Sequence, residues 1–101
     1  MAAVTIDDVL EWTGDNVSQF HVRVRRKRDK AVVREVDVGQ AKQVRVSYLL
    51  EGVDYVAETV FEVAVRAHSV GKRIETDYSP NLEITLTDPT PTIPGTPTVK
   101  I

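Results

Sequence analysis

Apolar and polar residues alternate along most of this chain, the pattern of strands with one face on a core and the other in water. Phe20, Val22 and Val24 interleave with His21, Arg23 and Arg25, and Val36 and Val38 with Glu35 and Asp37, so two strands are predicted around a charged turn. A third strand is predicted where Val44, Val46, Tyr48 and Leu50 alternate with Arg45, Ser47 and Leu49, before Gly52 and Asp54 interrupt the run. The most regular stretches set Phe61, Val63, Val65 and Ala67 against Glu62, Ala64, Arg66 and His68, and Leu82, Ile84 and Leu86 against Glu83, Thr85 and Thr87. Near the start, Leu10 and Trp12 share a face, and Val4 and Ile6 form a short strand ahead of an Asp7 and Asp8 turn. Helical spacing is hard to find. Six or seven short strands predict an all-β, two-sheet sandwich. Its core should hold Trp12, Phe20, Val22, Val24, Val46, Phe61, Val63, Val65, Leu82 and Ile84.

Residues 88–101, DPTPTIPGTPTVKI, differ in composition, carrying four of the five prolines. Proline fixes φ and removes backbone donors, so this stretch is predicted to be an extended, semi-rigid arm or linker. The chain therefore divides into a sandwich over residues 1–87 and an arm over residues 88–101.

Three stretches carry a resemblance to a known family. Trp12 closes a strand and is followed by TGDNVSQ and FHVRV; YVAETVFEVAVRA ends an alternating strand in alanine; SVGKRIETDYSP leads into the last strand. Together, over most of residues 9–87, they resemble a fibronectin type III domain, which implies an immunoglobulin-like sandwich. Two departures stand out. Phe61 occupies the position of the family's corner tyrosine, so the corner is held by packing or by the hydroxyl of Tyr55. Only 11 residues precede Trp12, so the first strand should be short or missing.

At 101 residues, 42% hydrophobic and 28% charged, the composition is that of one globular core rather than a disordered chain. No apolar run approaches the roughly 18 residues of a membrane helix, and the opening MAAVTIDDVLEW lacks the basic and apolar regions of an export signal. A net charge of −2 gives no global attraction to nucleic acid or anionic lipid. Without cysteine, disulfides, thiolate nucleophiles and sulfur ligands are excluded. No catalytic constellation is visible, so an enzyme, a small-molecule substrate and a cofactor are not expected. His21 and His68 should sit near each other on the solvent face of one sheet, with only Asp77 or Glu75 offering further ligands; surface histidines are expected rather than a metal site.

The run RVRRKRDK is the strongest local charge feature. Arg23, Arg25, Arg26, Lys27 and Arg28 are candidates for gripping an acidic partner, against the alternative of a solvated hairpin in which Arg23 and Arg25 face Glu35 and Asp37. Without interleaved aromatic residues, nucleic acid is not the expected ligand. In the arm, Pro94, Pro97, Val99 and Ile101 are candidates for contact with another subunit, by strand addition to a neighbour's open edge or by looser packing. The expectation for function is a non-catalytic structural and interaction module of a large assembly, a phage or phage-like head decoration or tail protein acting in the virion or host cytoplasm. Its partners would be protein subunits, its own copies included. The alternative is a binding module of a tandem cell-surface, adhesion or carbohydrate-active secreted protein, hence extracellular.

Overall fold

A computed structural model of the chain describes residues 2–56, 58–69, 74–88 and 92–100. Among these, five strands lie side by side in the order β1 (Ala2–Val4), β7 (Leu82–Leu86), β6 (Val60–Ser69), β3 (Val17–Arg26) and β4 (Val32–Gly39). A second sheet pairs β2 (Val9–Glu11) with β5 (Gln43–Arg45). Every pairing is antiparallel except that of β1 with β7. The expected all-β sandwich is the fold of this chain.

Alternation places the core. On β3, Phe20, Val22 and Val24 point inward, and the register sets Val22 opposite Val65 and Val36, and Val24 opposite Val63. Val22, Val24, Val36 and Val63, with Phe61, Ile84, Val44, Val46, Leu49 and Leu50, make one apolar cluster between the two sheets. Each such side chain taken fully out of water contributes about 1.5–3 kcal/mol before the entropy of ordering it. Trp12 and Val65 pack against the cluster but are only half-buried. Trp12 meets Phe20 edge-on at 5.8 Å, and Gly14 fits beside that ring because a Cβ there would lie 2.9 Å from it.

Leu82 departs from expectation, being 43% exposed. It opens β7 beyond the reach of β1, which pairs only with Ile84, Thr85 and Leu86, so its flank has no neighbour to cover it. The third predicted strand is also corrected. Only Gln43–Arg45 is a strand, and the chain then turns into α1 (Val46–Leu49), burying Val46, Leu49 and Leu50 together and leaving Tyr48 in solvent. The turn is held at its start by tertiary contacts, since Val46 N donates to Asp8 O at 2.9 Å and Ser47 N to Ile6 O at 2.8 Å. Orphan donors of a helix N-terminus need such acceptors.

The first strand is short but present, and it borders β7 rather than β2. Val4 is buried, Ile6 lies in the following turn, and Thr87 N donates to Val4 O at 2.8 Å. Asp8 accepts the Thr5 N–H within its own turn, and Asp88 reaches across the chain to accept the Ile6 N–H, both at 2.9 Å. At one pole of the sandwich therefore lie the end of β3, the start of β6, the end of β7 and the root of the arm.

Candidate functional site: the basic hairpin and the arm

The turn joining β3 to β4 is built from local chemistry. Arg26 N donates to Ala31 O and Lys30 N to Arg26 O, both at 2.9 Å, while Lys30 takes a left-handed φ of 59°. Asp29 closes the turn, accepting from Ala31 N and from the Arg26 guanidinium at 3.0 Å. Those bonds, that from Arg26 first, hold the Asp29 carboxyl below its usual range.

The five candidate cations are mostly engaged within the molecule. Arg25 Nε lies 2.9 Å and Lys30 Nζ 3.0 Å from the Glu62 carboxylate on β6, and Lys27 Nζ is 2.9 Å from Glu83 on β7. The Arg23 guanidinium stacks on the Tyr78 ring at 4.0 Å, with Arg66 at 5.1 Å from the same ring. Register puts Arg23 opposite Glu35, as expected, but Arg25 opposite Val32 and Asp37 opposite His21. Glu35 accepts from the Tyr78 hydroxyl at 3.0 Å. Burial first, and then this bond to a carboxylate, push the Tyr78 phenol up. Among the described residues Arg28 alone of the five has no ion-pair or aromatic partner.

Tyr78 belongs to a strap, residues 74–79, that runs beside β6 past the start of β7 and brings the Tyr78 ring against Arg23 and Arg66. Ser79 N donates to Val65 O and Thr76 N to Ala67 O, while the hydroxyls of Ser79 and Thr76 accept the Val65 and Ala67 N–H groups. The strap corrects the reading of His68 as a surface residue, while His21 is half-buried. His68 is buried, with Nδ1 3.3 Å from Glu75, and its ring lies 4.6 Å from that of His21. Gln19 Nε2 lies 3.0 Å from His21 Nε2. Among the described residues no three of His, Asp and Glu converge as metal ligands.

Beside the hairpin tip runs a groove of about 770 Å³, bounded by Arg28 on one side and by Tyr55, Val56 and Val60 on the other. The two walls are joined where Lys27 N donates to Val60 O at 3.0 Å. Tyr55 stands edge-on to Phe61 at 5.5 Å, so this corner is closed by ring packing. The sequence singled out the cations of one wall and missed the other, whose exposed Tyr55 and Val56 follow a Gly52 and Asp54 turn and carry no periodic signal. At the opposite pole a cleft of about 430 Å³ lies beside Trp12, Asn16, His68 and Asp77.

Residues 92–100 have no regular secondary structure and make no hydrogen bond or ion pair with the described sandwich. Pro94, Pro97 and Val99 are exposed, Val99 at 88% and its neighbour Ile93 at 95%. Ile101, the last candidate of the arm, lies outside the described residues. The molecule measures 65 × 29 × 20 Å, and its radius of gyration of 17.2 Å exceeds the roughly 13 Å of a compact domain this long. Against known proteins, the chain matches no family model, no curated protein and no solved structure.

Proposed function

We propose that this chain is a non-catalytic structural and interaction module that joins neighbouring subunits of a large assembly through its proline-rich arm. The arm carries the reading: an extended segment holds Ile93 and Val99 in water, away from the core of its own chain. A polyproline-like backbone is already stiff, so docking it on a neighbour costs less ordering entropy than docking a flexible tail. Nine residues at about 3.1 Å each reach about 28 Å, the scale of the spacing between small subunits. The finer form of the proposal is a fibronectin type III-like subunit of a phage or phage-like head or tail. The opposition of β2 and β5 to the β7, β6, β3 and β4 sheet supports that likeness, while the parallel β1–β7 pair departs from it.

The test compares the full chain with one cut after Asp88, which keeps the Asp88 bond to Ile6, both tagged and expressed in their native source. On a sucrose gradient the full chain should travel with large particles and the shortened one with free protein, at an unchanged melting temperature. A full chain found only as free protein would sink the reading.

A further inference from the structure

The arm and the groove match each other in shape and in charge. Pro91, Pro94 and Pro97 recur at every third residue, and Lys100 continues the series. A polyproline II helix has three residues per turn, so in that form these four side chains share one face, with Ile93, Thr96 and Val99 on the next. Such helices are recognised by aromatic-lined grooves in which an acidic residue meets the flanking cation. The groove offers both. Tyr55 is pinned against Phe61 yet 42% exposed, Val56 is 75% exposed, and Asp54 and Glu58 on the same segment have no ion-pair partner among the described residues.

We propose that the groove between the β3–β4 tip and residues 54–56 and 58–60 binds the arm of a second copy of this chain as a polyproline II helix. The proline face lies on Tyr55 and Val56, and Lys100 meets Asp54 and Glu58. The inference rests on the arm-joining reading above and names its acceptor. A second copy is the occupant because residues 92–100 lead away from the body and none of them lines its own groove. The arm is rooted at the groove's pole: Thr85, next but one before Thr87, pairs with Val60. Two copies related by a two-fold axis at that pole can therefore exchange arms reciprocally, a closed dimer rather than an open filament.

Sedimentation equilibrium of the purified full chain tests this. The parent should dimerise. Val56→Asp, at an exposed position, and the double change Pro94→Ala with Pro97→Ala should each weaken dimerisation about tenfold or more, because each removes half of the central apolar contact. Mixing these two variants should restore heterodimers, since one supplies an intact arm and the other an intact groove. Lys100→Glu should weaken association about two- to fivefold, and adding Glu58→Lys should recover it. A parent chain monomeric at millimolar concentration, a Val56→Asp chain that dimerises like the parent, or a mixture that yields no heterodimer overturns the proposal. The particle gradient is read independently, so an arm that joins subunits through some other surface would still be recognised.

Discussion

Glu62 sits on β6 with its side chain almost wholly covered, yet it serves two cations that arrive from the hairpin, Lys30 and Arg25. Bonds from Lys30 first, and from Arg25 after it, hold its carboxyl below the usual range against the opposing effect of desolvation. A carboxylate whose folded pKa lies below the unfolded value, about 4.3 for Glu, stabilises the fold above that value. The contribution is lost as pH falls through the folded pKa. Glu62→Gln should accordingly flatten the acid limb of stability, read as the urea midpoint from about pH 5 downward. An acid limb as steep as the parent's would assign the effect to other carboxylates. On β7, Ile84→Ala should cost about 2–5 kcal/mol and Leu82→Ala about 1 kcal/mol or less by urea unfolding, because Ile84 is 1% exposed and Leu82 is 43% exposed.

At the scale of elements, the segment after β5 shows two periods competing for the same residues. Val46 and Leu50 satisfy alternation, and they also satisfy helical spacing, so the pair by itself does not discriminate. The decision falls on Tyr48 and Leu49, and the structure buries Leu49 and exposes Tyr48 at 45%. The reason is tertiary: Asp8 O and Ile6 O take the first donors of α1, which a continuing strand would have presented elsewhere. Leu49→Ala should cost about 2–5 kcal/mol in urea unfolding. Tyr48→Ala should cost about 1 kcal/mol or less, the worth of its contact with Arg34 at 5.4 Å. The reverse order of these two values would restore the strand.

At the scale of the whole molecule, the groove and the root of the arm lie at the same pole. The sandwich fixes the groove through backbone pairing of β3 with β6, and the prolines fix the arm through their own rings. In the proposed arm exchange both surfaces would be ordered before they meet, which would lower the entropy of association. The basic run of β3 and its turn is spread between Tyr78 of the strap, Glu62 on β6 and Glu83 on β7.

The sequence alone determined that the chain is a strand-rich sandwich, because apolar and polar residues alternate along β3 and β6, as strands with an apolar face on a core must. It also leads to the expectation of an extended arm, since proline acts through its own ring. It determined that the hairpin is cationic, but not what the cations do. Glu62 and Glu83 lie 37 and 56 residues from the cations they pair with, and only the strand order brings them together. The burial of His68 likewise needs a strap that Thr76 and Ser79 lay along β6. The groove is the clearest case: its two walls, residues 26–28 on one side and 54–56 with 58–60 on the other, are distant in the chain and meet through the Lys27 N to Val60 O bond. Periodicity reports which face of an element is apolar, whereas a site made where elements meet depends on register and strand order, which the tertiary fold decides.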